Sequence, residues 1–246
     1  MFSHPPSGVY QKHFRGVLQY CVIKDIITRM SALPSAHIFV DNSNIFWGAQ
    51  RAAAVHEPAA VYCAVRLYYR NFFSLIETGV DAKTRVLAGS VPPGNEELWN
   101  FARQGGYDTD LLHKVERDDG RLGEQGVDEM LHLKIANVLL DYEPPQVLVL
   151  ATGDGKEGDF QTSFTRQIER ALQRKWAVMI WSWQEQLSGR FQALIPSSNG
   201  LLSIRDLDRY YKSIVFIKGG SYRLPGGSAT IQNRPVSKLY LGVAGK

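Results

Sequence analysis

The chain reads as an α/β protein built on a parallel sheet, and three observations predict this. Short buried-looking apolar runs alternate with segments of helical period from residue 36 to residue 218, the pattern of a sheet whose strands are joined by crossover helices. Two of the apolar runs, Val147–Ala151 and, but for His37, Ala36–Val40, are continuously hydrophobic, as strands buried on both faces are. Each of those two runs ends in a short polar segment containing an aspartate, Asp41-Asn42-Ser43-Asn44 and Thr152-Gly153-Asp154-Gly155. In open α/β sheets, ligands bind just beyond the carboxyl ends of the strands.

Taken in order, Ala36–Val40 is the first strand, after the break at Pro34. Ala60–Glu77 carries apolar residues at positions 61, 65, 68, 72, 75 and 76 and predicts a helix. Thr84–Gly89 is a second strand and Asn95–Gln104 a short helix, entered through Pro92-Pro93-Gly94. Thr109–Val115 is a third strand. Val127–Tyr142 is a long helix with Met130, Leu131, Ile135, Val138 and Leu139 on one side. Val147–Ala151 is the fourth strand, Thr162–Lys175 a helix, Ala177–Trp183 the fifth strand and Asp206–Ile217 a closing helix. The expected architecture is one doubly wound domain over residues 36–218, with a parallel sheet of about five strands.

Residues 1–35 form a basic leader, partly disordered, with a short amphipathic helix over Val17–Met30. Its low acid content and scattered Arg and Ser raise a mitochondrial transit peptide, beside a cytoplasmic or nuclear location. Residues 219–246, rich in Gly, Ser and Pro, read as a basic flexible tail. The net charge of +4 resides in these ends, which carry four basic residues each against a single acid; the body between them is net acidic. Basic ends add sequence-independent attraction to phosphate backbones, although so few charges fit solvated tails equally well. No apolar run reaches the roughly 18–20 residues of a membrane span. Cys21 and Cys63 are isolated, without zinc or disulfide spacing. Neither HExxH nor GxxxxGK[ST] occurs.

The chemistry therefore rests on acids. Asp41 and Asp154, more than a hundred residues apart, are expected at one sheet edge, where clustered carboxylates bind a hard divalent cation. Asp128 opens the long helix, where the helix dipole alone favours an acid. The ordered set DNSN, EQGVDEMLHLKIANVLLD, ATGDG and RALQRKWAVMIWSWQEQLS resembles the NYN branch of the PIN-like nucleases, and is most similar to its fungal members.

That resemblance, over about residues 36–217, implies a three-layer α/β/α fold and an acidic pocket holding Mg2+ or Mn2+. It also implies hydrolysis of RNA, single-stranded for preference, by an endoribonuclease. On the matching positions, Asp41, Asn44, Asp128 and Asp154 are the implied catalytic residues. Asp41, Asp128, Asp154 and Asp159 are the implied metal ligands. The fourth acid departs from the family pattern: relatives read Gly-Asp-x-Asp-Phe, whereas Lys156-Glu157-Gly158 here separates Gly155 from Asp159. Glu157 is the alternative to Asp159, and a site of three carboxylates is another.

Around these anchors, Asn44 is a hydrogen-bond donor for a water or a phosphate, and Thr152 can orient Asp154 through its hydroxyl. Asn42 and Ser43 read as turn chemistry. Gly153 and Gly155 read as room for a sharp turn after the strand. His132, one turn after Asp128, reads first as a surface or core-edge residue and second as a flank of the pocket. Trp47 reads first as buried under a helix and second as a base-stacking platform. Trp176, Trp181 and Trp183 read as core. Arg51, Arg66 and Arg70 line a groove or a solvated face. Two other classes stay open: a catalytically weak or inactive RNA-binding module, and a small-molecule phosphohydrolase. The absence of a DxD pair after the first strand weighs against the latter. A homodimer is compatible with the chain.

Overall fold

The structure, a computed structural model, describes residues 33–90, 96–112, 115–116, 122–123, 126–155 and 162–241. The expected helix at Val17–Met30 and the leader up to residue 32 lie outside the described residues.

The elements follow in chain order. Strand β1 is Ser35–Asp41, with Ala36–Asp41 buried throughout. Helix α1, Asn42–His56, follows with no intervening loop. A single 3-10 turn at Tyr62–Ala64 leads into β2, Val65–Leu67, and then α2, Tyr69–Ile76. Next come β3, Asp81–Ser90; α3, Glu96–Gln104; β4, Asp108–Leu112; and the two-residue strands β5, Val115–Glu116, and β6, Leu122–Gly123. Helix α4 is Val127–Asp141, β7 is Val147–Ala151, α5 is Phe164–Gln173 and β8 is Ala177–Ser182. The chain closes through α6, Gly189–Ala193; β9, Leu202–Asp206; α7, Tyr211–Ile214; and β10, Val215–Ile217. The hairpin strands β11, Gly220–Leu224, and β12, Gly227–Ile231, come last.

Six strands form one parallel sheet in the order β4-β3-β1-β7-β8-β9. The chain starts in the middle, winds outward through β3 and β4, then returns beside β1 and winds outward the other way. Strands β1 and β7 therefore flank the point where the winding direction reverses, which is where doubly wound sheets open a crevice.

Successive side chains point to opposite faces, so each strand feeds two cores. Ile38, Val40, Leu87, Val149 and Trp181 face a cluster that receives Ile45, Ala49, Phe72 and Trp99 from α1, α2 and α3. Phe39, Val86, Leu148, Leu150 and Ile180 face the other, which receives Leu131, Ile135, Ile168 and Phe191 from α4, α5 and α6. The fold is a three-layer α/β/α sandwich. Burial of an apolar side chain of this size contributes about 1.5–3 kcal/mol, so the two clusters hold the sheet from both sides.

Several expected elements are revised. Helix α1 went unread because, beyond Asn42 and Ile45, its buried face is made of Gly48, Ala49, Ala52 and Ala53, too small to raise a hydrophobic period. Ala60–Glu77 is not one helix: Val65–Leu67 is drawn into an antiparallel pair with β10, so tertiary pairing overrides the local period. Val115 belongs to a short hairpin with β6, not to β4. Asp206–Ile217 is not a closing helix either. Leu202–Asp206 adds a sixth parallel strand on β8, and only Tyr211–Ile214 is α-helical.

The basic tail is also revised as far as residue 241, because it carries a hairpin and a docked arginine. Arg234 spans the guanidinium contact to Glu57 through Nε and through Nη2 at 2.7 Å. Its Nη1 donates to the Val215 carbonyl at 3.0 Å. Its backbone pairs with Ile217. Tyr211 donates its hydroxyl to Glu57 at 2.9 Å and lies under the Arg234 guanidinium, 5.5 Å from it. Burial works against the Glu57 charge, but the bonds from Arg234 and Tyr211 outweigh it and hold the carboxyl below its ordinary range.

Candidate active site at the carboxyl ends of β1 and β7

The last rung between β1 and β7 pairs Val40 with Ala151, so Asp41 and Thr152 are the next residues out on adjacent strands. Asp41 is at once the end of β1 and the N-cap of α1. Its Oδ1 accepts from the Asn44 backbone N–H at 3.0 Å, and the helix dipole favours its charge. Its Oδ2 accepts from the Thr152 hydroxyl at 3.1 Å. Only 5% of Asp41 is exposed, and a carboxylate buried to that extent needs hydrogen-bond donors such as these two.

Thr152 does more than orient one acid. While its hydroxyl proton goes to Asp41, the same oxygen accepts the backbone N–H of Asp154 at 3.2 Å. One buried hydroxyl thus joins the two strand-end acids. The link to Asp154 runs through its main chain, leaving its carboxylate outside the bond.

Asn44 closes the second connection. Its Oδ1 accepts from the Gly153 N–H at 2.7 Å, clamping the first turn of α1 to the Thr152–Asp154 segment. With the oxygen engaged, the side-chain NH2 is the group suited to meet an anion. Asn42 is a structural residue at the start of α1: it is 8% exposed, and its Oδ1 accepts from the Tyr69 hydroxyl at 2.5 Å. Burial raises the pKa of that phenol, the bond to Asn42 opposing.

Gly153 and Gly155 were expected to serve a turn. Neither has a left-handed backbone, and the requirement is close approach. A Cβ on Gly153 would stand 2.4 Å from the Gln186 carbonyl oxygen, and one on Gly155 2.3 Å from Ser188 Oγ. The loop after β8 therefore packs directly on the segment carrying Asp154. It also ties back to α1, because the Trp183 indole donates to the Ile45 carbonyl at 2.9 Å.

Asp128 sits in the first turn of α4. A crossover helix leading into a parallel strand runs against the strands, so this turn lies at the same carboxyl edge, on the second core's side of the sheet. One turn further on is His132. It is 4% exposed, its ring edge-on to Phe164 at 4.5 Å, and neither ring nitrogen has a hydrogen-bond partner among the described residues. Burial pushes its pKa down to about 4 against the opposing charges of Glu129 and Asp154, so it is neutral at pH 7. Of the surface and core-edge readings the second holds: His132 is a buried neighbour of the acidic edge, within electrostatic reach of Asp154.

Arg190 had no signal in the sequence beyond being one more arginine. Its Nη1 donates to the Gly155 carbonyl at 3.0 Å, placing a guanidinium one residue past Asp154. Arg66, by contrast, bonds the Cys63 and Val65 carbonyls and is spent on local structure. Arg70 lies over the Phe101 ring at 6.0 Å. Trp176, Trp181 and Trp183 are buried, as expected. Trp47 is not buried under a helix: 57% of it is exposed.

Asp159 and Glu157 lie outside the described residues. Among the described residues, no group of three or more His, Cys, Asp or Glu side chains is arranged to hold a metal ion. What stands at the edge is a set of hard oxygen donors, with a neutral imidazole behind them. Such a set suits Mg2+ or Mn2+, which take one or two carboxylates directly and keep several waters.

No protein-family model matches the chain, and no curated protein matches it. Among solved structures, the chain is similar to a protein of unknown function from Vibrio parahaemolyticus RIMD 2210633. The two share 17% identity at a TM-score of 0.50, over 73% of this chain and 98% of that one. The likeness is one of fold. No helix among the described residues is long and apolar enough to cross a membrane.

Proposed function

We propose that the chain is a metal-dependent ribonuclease of the NYN, PIN-like type, hydrolysing phosphodiester bonds in single-stranded RNA. One observation carries the reading. The strand-end acids Asp41 and Asp154 are joined through Thr152 at the reversal point of a doubly wound sheet.

In this reading Asp41 and Asp154 hold Mg2+ or Mn2+, with Asp128 and Asp159 as the further acids the resemblance implies. When bound, such an ion supplies charge neutralisation at the phosphate and an activated water. The chain's own residues supply placement. Asp41 is fixed by two donors and cannot swing. Asn44 offers its NH2 towards the phosphate. Arg190, held by the Gly155 carbonyl, offers its remaining N–H groups to developing charge on the phosphoryl oxygens. His132 adds no positive charge that would compete with an ion.

The test is cleavage of single-stranded RNA by the full chain with added Mg2+ or Mn2+. Asp41→Asn and Asp154→Asn are each expected to lower turnover roughly 100-fold or more, the size of loss seen when a group stabilising transition-state charge is removed. Undiminished cleavage in excess chelator, or in both variants, overturns the reading.

A second reading is an RNA-binding module without catalysis on the same fold. It is favoured by the altered spacing after Asp154, where Lys156-Glu157-Gly158 separates Gly155 from Asp159. Binding of RNA with no metal-stimulated turnover on several substrates selects it.

A further inference from the structure

The α1 helix that begins at the acidic edge carries an outward stripe that starts at the site residue Asn44 and continues past it. Asn44, Trp47 and Arg51 stand at positions i, i+3 and i+7, which places them within about 60° of one another around a helix of 3.6 residues per turn. Asn44 is clamped to Gly153 at the edge. Trp47 lies about 4.5 Å further along the axis and Arg51 about 10.5 Å, at 1.5 Å per residue.

Trp47 is 57% exposed, and its nearest aromatic contact is the edge of Phe46 at 6.4 Å. The other four tryptophans, Trp99, Trp176, Trp181 and Trp183, are all buried. Arg51 is exposed and enters none of the ion pairs among the described residues. The next large exposed aromatic, Tyr62, is 60% exposed, and its carbonyl accepts from Gln50 at 3.1 Å.

We infer that this stripe is the track along which a single-stranded RNA enters the acidic edge: one base stacks on Trp47, and Arg51 pairs with an adjacent phosphate. An exposed indole beside a guanidinium without an ion pair among the described residues complements a nucleotide twice, by π-face and by charge. A protein partner would need a contiguous apolar patch instead, and here Trp47 is followed along the stripe by a cation. Duplex RNA is excluded, since its bases are stacked on each other and leave no face for Trp47. The inference rests on the proposed ribonuclease reading of single-stranded RNA and adds to it the residues that hold the strand.

Because Trp47 is the one tryptophan at the surface, its own fluorescence reports the contact. The full chain in EDTA, where metal-dependent cleavage is suppressed, is titrated with a short single-stranded oligoadenylate and with a duplex of equal length. The single strand is expected to quench and shift the exposed-tryptophan emission, and the duplex is not. Trp47→Ala is expected to weaken binding roughly 5- to 150-fold, the range for one stacked base, while Trp47→Phe retains most of it. Arg51→Ala is expected to reduce the slope of log K against log[salt] by about 0.7, one phosphate contact on a single strand. Circular dichroism checks that each variant is folded.

Absence of quenching, equal affinity for duplex, or unchanged binding by Trp47→Ala overturns the inference. The two proposals fail separately. A chain that cleaves RNA but binds it equally well without Trp47 loses only the track. A chain that binds with quenching but never turns over loses only the catalysis.

Discussion

Replacing Thr152 by valine keeps the shape of a 1%-exposed residue and removes only its hydroxyl. Two bonds go with it: the donation to Asp41 Oδ2 at 3.1 Å and the acceptance of the Asp154 N–H at 3.2 Å. The first involves a buried carboxylate, and a hydrogen bond to a charged group contributes about 1.5–3 kcal/mol. The second leaves a partly buried N–H short of an acceptor, at about 1 kcal/mol. The expected loss of stability is therefore roughly 2–4 kcal/mol at neutral pH, or about 4–16 °C in Tm for a chain of this size. Urea unfolding, followed by emission from the four buried tryptophans in metal-free buffer, measures it. A double-mutant cycle with Asp41→Ala isolates the first bond: in that background Thr152→Val should cost only about 1 kcal/mol. A loss below about 0.5 kcal/mol, or the same loss with and without the Asp41 carboxylate, would refute the claim that Thr152 couples the two strand ends.

Two further outcomes follow from the buried groups. His132 has a folded-state pKa of about 4, below its ordinary value of 6.5, so the unfolded chain binds more protons between those values. Its contribution to stability is complete above about pH 6.5 and is lost as pH falls towards 4, amounting to about 3 kcal/mol. His132→Leu should flatten that part of the stability–pH profile, leaving the share from His37, whose pKa burial also lowers; an unchanged profile would contradict the burial assignment. At the other end of the molecule, Arg234→Ala removes both contacts to Glu57 and one to the Val215 carbonyl. About 2 kcal/mol of destabilisation is expected, less than for a fully buried pair because both partners keep some solvent. Thermal unfolding at pH 7 should show it, and a shift within error would mean that the docking of residues 232–236 contributes no net stability.

Much of the sheet was legible because its strands are hydrophobic on both faces and short. Ala36–Val40, Thr84–Gly89, Val147–Ala151 and Ala177–Trp183 each fall inside or within a residue of an observed strand. Long helices with a full apolar stripe, Val127–Tyr142 and Thr162–Lys175, were legible for the same reason. Helix α1 was not, since a face of Gly and Ala packs closely without being very hydrophobic. Strands β2, β9 and β10 were not, because a three- to five-residue strand is made by the partner it finds. At the edge of the sheet, Asp41 and Asp154 could be placed from strand ends alone. The roles of Thr152, His132 and Arg190 could not, since each depends on a contact with a residue distant in sequence.

By itself, then, the sequence determined that a parallel α/β sheet forms and that two acids stand at the carboxyl ends of two of its strands. Period and hydrophobicity are local properties, and a strand's end is marked by the residues that follow it. Only the tertiary structure decided that those two strands are neighbours, that a single hydroxyl joins their acids, and that Trp47 faces solvent while four other tryptophans do not. Adjacency and burial are properties of how elements pack, and no window of the chain contains both partners of such a contact.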